Sequence, residues 1–365
     1  MTVTTELQTR HGLWESFHEG RPVRVPVLFR CDPRMILLDP ALNTQGWTYR
    51  GCLEDPEVLW DVELAFQKWM SVNVHHDAPA EPEWPVTVRL FPGAEAAWLG
   101  CPLLFSGSDA PSTTPILSDR KDLYLLRIPD PLEDGIMGSA VKSFETLRLK
   151  SRTVRFEGRP VRVALSPDLT GPFTLACALR GTGEFCRDLV EDPRFAHDLL
   201  WFATRAIQSR RHAWASLGAA TSTIADDALE LLSPSMVREF VLPHYRELAP
   251  SRMHLCGKAS HLLRLLSEEV DLHEFELGPS ADLGAVRREL GPEALLIGNL
   301  DPALLKHGPP GAIHHGVRAL CSSGVMESGR FILQTGGECI PGTPREHFEV
   351  AYASAQEHGR YRTPD

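Results

Sequence analysis

Short apolar stretches of β character alternate with longer stretches of helical spacing along most of this chain, and few architectures accommodate that alternation. A strand followed by an amphipathic helix, repeated, builds a parallel sheet whose faces are covered by helices. Eight runs qualify as strands: Val23–Phe29, Ser71–His75, Val161–Leu165, Ala220–Ala225, Arg252–Cys256, His273–Leu277, Leu295–Asn299 and Phe331–Thr335. Each gives way to polar or glycine-bearing sequence. Helices are expected between them at Glu57–Met70, Pro193–Leu217, Ser235–Glu247, Ala259–Glu269, Leu283–Leu290 and Pro310–Cys321, followed by Pro344–His358 with Thr343 as N-cap. The Asp-Pro and Ser-Pro pairs at several starts fit helix N-termini, where the N–H that proline lacks has no partner to lose.

Eight such units close into a (β/α)8 TIM barrel, an α/β fold that runs to 250 residues and beyond as one domain. A single domain over 1–365 is therefore expected. The stretch from about 79 to 159 is too long and too rich in proline for one unit, although it holds short strand-like runs at Val86–Phe91 and Pro102–Phe105. It reads as an insertion covering the C-terminal mouth. No fixed-period repeat or low-complexity tract is visible, which removes solenoids and propellers.

Composition excludes several classes of function. A formal net charge of −11 without a dense lysine and arginine cluster argues against nucleic acid as a partner. No run of about 18 apolar residues occurs, and Met1–Arg10 lacks the basic and apolar parts of a secretory signal, so no membrane is expected and the cytoplasm is the default location. The eight cysteines are then reduced thiols, buried or metal-bound. With no CxxC pair, any metal site must be assembled from residues distant in sequence.

His254 and Cys256 stand two apart on an expected strand, so both side chains leave the same face. They sit at its C-terminal end, where α/β barrels do their chemistry. Cys339 closes the loop after the last strand at the same end. One imidazole and two thiolates suit zinc, and three protein ligands leave a fourth position for substrate. A thiol there would be deprotonated and presented as a nucleophile. The competing reading is three ordinary packed residues, since free cysteine is among the most buried types.

The motif around these residues, His254-Leu-Cys256-Gly with Gly336-Gly-Glu-Cys339-Ile-Pro-Gly-Thr-Pro344, resembles the His-x-Cys and distal Cys signature of zinc methyltransferases in the uroporphyrinogen decarboxylase superfamily. Further resemblance lies in Gly171-Pro-Phe-Thr174, in the stretch from Asp226 to Pro243 and in Ile297-Gly-Asn-Leu-Asp-Pro302, with weaker likeness at Arg24-Val-Pro26 and Glu95–Gly100. The resemblance implies transfer of a methyl or alkyl group to a small thiol, with zinc on the triad and a corrinoid as donor, carried by a separate protein because this chain has no corrinoid-binding module. Where the true decarboxylases carry Arg-Gln-Ala-Gly-Arg-Tyr, this chain has Phe29-Arg-Cys-Asp-Pro-Arg34. Porphyrinogen decarboxylation is therefore not expected. Two other readings stay open: a lyase or decarboxylase using zinc as a Lewis acid, and a non-catalytic protein holding a corrinoid, a tetrapyrrole or the metal. The chain is expected to be a monomer or a homodimer.

Other residues fall at expected strand ends. Asp77, after His75 and His76, is a candidate for substrate contact, with turn polarity as the alternative. Of Asp226 and Asp227 one faces the site, and Asp227 is taken as the catalytic candidate. Asn299 is a candidate for hydrogen-bonding substrate or for capping backbone. Glu276 is a candidate displaceable fourth metal ligand, or else half of an ion pair within the barrel. Glu95 and Trp98 read as a lid or as a packed hairpin. His307, His314 and His315 read as part of a solvated helix and its lead-in, and Cys31 with the five remaining cysteines as core or surface thiols.

Overall fold

The computed structural model describes residues 3–79, 81–327 and 329–361. Its principal strands are β1 (Trp84–Val88), β2 (Arg159–Leu165), β3 (Leu169–Thr170), β4 (Thr223–Ala225), β5 (Arg252–Leu255), β6 (Glu274–Leu277), β7 (Leu295–Leu300) and β8 (Phe331–Thr335). The helices used below are α1 (Val3–His18), α2 (Pro56–Asn73), α3 (Gly135–Ser151), α4 (Pro193–Ser216), α5 (Pro310–Cys321) and α6 (Arg345–His358). The chain divides into two compact units, one of residues 40–64 and 83–254, the other of residues 1–39, 65–82 and 255–365. It passes from the first to the second within β5, between His254 and Leu255.

In the unit of residues 40–64 and 83–254, β1 and β2 pair in parallel from Trp84 opposite Val161 to Val88 opposite Leu165. The run Val86–Phe91, read as strand-like from sequence, thus belongs to a ladder that starts at Trp84. The Pro102–Phe105 run contributes Leu103 and Leu104 to a two-residue antiparallel pair with Ser112 and Thr113. A second parallel set joins β3 to β4 and β4 to β5, with Ala225 opposite His254. Behind it α4 starts at Pro193, its N-cap Asp192 accepting from the Phe195 N–H.

Residues 234–248 form one helical run interrupted by a π turn at Val237–Val241, where the Leu242 N–H bonds back five residues to the Val237 carbonyl. Pro243 explains the widening, because it has no N–H to donate and its ring collides with the carbonyl four residues earlier. Beyond the turn lies His244, fully buried beside α4. The Thr204 hydroxyl gives its one proton to the Leu200 carbonyl at 2.8 Å, so it accepts from His244 Nδ1, 2.9 Å away, and the ring carries its proton there.

Burial pushes the His244 imidazole from 6.5 down to about 4. A histidine depressed in the folded state stabilises the fold fully above its unfolded pKa and loses that contribution as pH falls through the folded value. At about 1.4 kcal/mol per unit, wild type should lose on the order of 3 kcal/mol more than His244→Gln as pH falls from about 6.5 to about 4. Urea unfolding of both proteins at the two ends of this range checks it; parallel losses would show that the imidazole is not held neutral.

In the other unit, β6, β7 and β8 pair in parallel, with Ile297 opposite both Glu276 and Ile332. All of β7 and β8 is buried, as expected of parallel strands covered on both faces. Leu295, Ile297 and Ile332 form a cluster against which Trp14 and Phe17 of α1 pack, together with Leu28. The first expected strand, Val23–Phe29, makes only isolated bridges at Arg24 and Val27. Its sequence explains the break, because Pro22 and Pro26 cannot donate to a ladder; the Pro26 carbonyl still accepts from Leu333 at 3.0 Å.

The expected strand Ser71–His75 is corrected. Residues 71–73 are the last turn of α2, and Asn73 donates through its side chain to the Trp69 carbonyl at 2.8 Å. The buried series Leu59, Val62, Phe66 continues helical spacing into these residues and overrides their local β character. The chain turns extended only at 74–77, where the Asp77 N–H reaches the Val27 carbonyl at 2.8 Å. Thr343 is likewise not the cap of α6. Its hydroxyl donates to the Ile340 carbonyl at 2.7 Å, and the N-cap position is Pro344. Among the described residues no helix is long and apolar enough to cross a membrane.

Candidate metal centre

His254, the penultimate residue of β5, is 8 % exposed, and its Nε2 lies 3.9 Å from Oδ1 of Asp227. Cys256, two residues on, is exposed. Donor atoms of Asp227, His254 and Cys256 all lie within 4.8 Å of one another. Nitrogen, thiolate sulfur and carboxylate oxygen on three residues are a donor set that fits zinc with an open position. The alternation along β5 that predicted a shared face for His254 and Cys256 therefore also holds for their donor atoms.

Asp226 and Asp227 part company as adjacent residues at a strand end should. Asp226 is fully buried and accepts from the backbone N–H groups of Phe173 and Thr174, at 3.2 and 2.7 Å, and from the Tyr245 hydroxyl at 2.6 Å. Burial pushes its carboxyl up to about 6 against the opposite pull of these bonds. Gly171 makes the approach possible, because a Cβ there would stand 2.2 Å from the Asp226 carboxyl carbon. Asp227 is left half-exposed, facing His254.

Cys339 lies outside the 4.8 Å group among the described residues. Its thiol is buried, 3.7 Å from the Thr335 hydroxyl. It also meets Cys31, whose own thiol is pushed well up first by its hydrogen bond to Cys339 and then by burial. Sequence reasoning placed Cys31 with the ordinary thiols. The only signal pointing the other way was its place just after the first expected strand, at the end where the other candidates gather.

Glu276 is half of an ion pair, the alternative of its two readings. Arg30 donates to its Oε1, and Gln334 donates to the same oxygen at 2.6 Å. The second Nη of Arg30 reaches Glu338 at 2.8 Å, while its backbone carbonyl accepts from the Cys339 N–H at 2.7 Å. Arg30 thus ties the loop carrying Cys339 to β6, a role that a lone arginine in the sequence gave no sign of. Asn299 is 4 % exposed and donates to the carbonyls of Gly278 and Ala281 at 2.9 and 2.7 Å, the backbone-holding alternative of its two readings.

Asp77 is fully buried, and its two oxygens accept from Arg24 at 2.6 and 2.7 Å, from the Val27 N–H at 2.9 Å and from the Tyr352 hydroxyl at 2.9 Å. Those four donors fill the acceptor sites of a carboxylate. The structure therefore corrects the expected substrate contact: Asp77 braces residues 24–27 and α6. Glu95 is buried too, and accepts from the Thr170 hydroxyl at 2.9 Å and from buried Arg210 at 3.2 Å.

Parallel strands alternating with helices, and a His, Cys and Asp donor cluster at the end of one of them, define an α/β protein of the (β/α)8-barrel class with a candidate metal centre. Residues 93–358 match the family described as uroporphyrinogen decarboxylase (URO-D), and the chain belongs to that enzyme family. It is 28 % identical over 274 residues to a methylated-thiol–coenzyme M methyltransferase of Methanosarcina mazei, covering 72 % of this chain and 70 % of the relative. It is 26 % identical over 280 residues to a uroporphyrinogen decarboxylase of Pseudomonas paraeruginosa, covering 72 % and 76 %. A solved structure of a methyltransferase from Methanosarcina mazei superposes with a TM-score of 0.69 at 21 % identity, over 96 % of this chain and 98 % of that one, and shows the fold.

Proposed function

We propose that this protein is a zinc-dependent transferase that moves a methyl or other alkyl group to a small thiol, with a methylcorrinoid on a separate protein as the donor. The observation that carries the reading is the convergence of Asp227, His254 and Cys256 donor atoms within 4.8 Å. The likeness to a methylated-thiol–coenzyme M methyltransferase supports the choice of reaction. His254 and Cys256 are assigned as zinc-holding residues with Asp227 beside them; Cys339, which the motif adds as a third, lies outside that group and would have to leave Cys31 to reach the ion, Asp227 holding the position until it does. When bound, zinc lowers the pKa of a coordinated thiol so that it is a thiolate at neutral pH.

The protein's own contribution is placement. Arg30 donates to both Glu276 and Glu338, so one of the two carboxylate charges is offset and the repulsion of an anionic nucleophile by that pair is reduced. Asn299 fixes the 278–281 loop through two carbonyls and thereby the backbone beside Cys256. Orientation of nucleophile and leaving group on a rigid strand end is the larger share of what such a site adds once the thiolate exists.

Elemental analysis and a methylcobalamin-dependent thiol methylation assay on wild type and Cys256→Ala test the proposal together. Partners outside the ligand shell are already worth about 10–100-fold in metal affinity, so loss of a ligand should cost at least that much zinc affinity, and turnover with it. Undiminished zinc and turnover in Cys256→Ala would end the reading. A lyase is the second reading, supported by the decarboxylases among the relatives; release of carbon dioxide with no thiol present would select it.

A further inference from the structure

The sequence offered His314 as part of a solvated helix, and the structure gives it a partner 44 residues away. His314 on α5 and His358 at the end of α6 face one another with Nε2 atoms 3.3 Å apart, their rings inclined at 72°. The Glu357 carboxylate lies 3.6 Å from His358 Nε2. Donor atoms of all three residues fall within 4.8 Å of one another. The two helices are also joined there by the Ser354 hydroxyl, which donates to the His314 carbonyl at 3.1 Å.

Two imidazoles that meet nitrogen to nitrogen either share a proton or share an ion. A well-formed N–H hydrogen bond spans about 2.7–3.2 Å between heavy atoms, so the pair is slightly long for the first arrangement. For the second, zinc–nitrogen bonds of about 2.0–2.1 Å at a tetrahedral angle put the two nitrogens about 3.3–3.4 Å apart. The observed separation falls there. The carboxylate on the adjoining residue adds a third donor, and its exposure leaves the remaining position to water. His358 lies in the last turn of α6, where the negative end of the helix dipole favours a cation.

We propose that His314, Glu357 and His358 form a second metal site, for a borderline divalent ion of the zinc, nickel and cobalt class. An ion bound there clasps the C-terminal helix to α5. It requires neither the thiol chemistry proposed above nor Cys256, His254 or Asp227.

Zinc alone is the probe, titrated calorimetrically into the metal-stripped full chain as wild type, Cys256→Ala, His358→Gln and Glu357→Gln. The Cys256→Ala protein is expected to keep one class of zinc binding and to gain thermal stability on its occupancy. His358→Gln should weaken that class by more than the ~10–100-fold cost of losing a partner outside the ligand shell, and lose the zinc-induced gain in stability. Should His358→Gln fail to fold without metal, Glu357→Gln, altered only at an exposed carboxylate, must weaken the same class by about tenfold. Wild-type affinity for this class in either folded variant overturns the proposal, as does absence of the class from Cys256→Ala.

Discussion

An Asp77→Ala variant is expected to be about 3–5 kcal/mol less stable than wild type, the range found when one partner of a buried ion pair is removed and the other left uncompensated. Arg24 would be the stranded charge. Its side chain is 16 % exposed; burial, the largest influence, depresses its pKa, but Asp77 and Tyr352 together leave it raised, so the carboxylate helps keep the guanidinium tolerable there. The Val27 N–H and the Tyr352 hydroxyl would lose an acceptor at the same time. Urea unfolding at neutral pH measures the loss. Asp77→Asn, which keeps the shape and one acceptor oxygen, should lose less stability and keep its kcat in the folded fraction. A fall in kcat without a fall in stability would return Asp77 to the substrate, where the sequence had first put it.

Gly278→Ala is expected to damage the proposed metal centre directly. A Cβ at 278 would stand 1.9 Å from the Cys256 carbonyl oxygen and 2.8 Å from its Cα. All the atoms in the way are backbone, so no rotamer change relieves the contact. Cys256 must move by about 1 Å, and misplacement of that size at a catalytic group costs about 100-fold in rate. The overpacking should also remove about 1–3 kcal/mol of stability. Turnover and zinc content of the variant are the readouts, with Gly183→Ala as control, since a Cβ at 183 meets nothing within 4 Å. Wild-type zinc affinity and rate in Gly278→Ala would mean that the position of Cys256 does not matter to function.

What the sequence revealed and what it hid follow from the range of the interactions concerned. Phe331–Thr335 and Pro310–Cys321 have the bounds their sequences predict, because a short run led by Phe-Ile-Leu and a proline-started amphipathic run are local signals. Residues 71–73 misled because three residues of β character closed a long helix whose packing decided their state. At the site, the His254 and Cys256 pairing was legible since it needs only strand geometry. The Arg30 bridge to Glu276 and Glu338, and the Cys31 contact with Cys339, join residues about 250 to 310 positions apart, and no local pattern encodes such a meeting.

The π turn at Val237–Val241 bears on how relatives should be compared with this chain. One residue more than a regular helix needs has been accommodated there, and each residue in an α-helix turns the chain by about 100°. Everything downstream, including His244 and Tyr245, is therefore rotated by that amount from where an unbroken helix would carry it. Tyr245, whose hydroxyl donates to Asp226, is among those residues. A relative lacking the extra residue aligns only with a one-position gap in this helix, and an ungapped pairing would match the wrong side chain to the one that steadies Asp226.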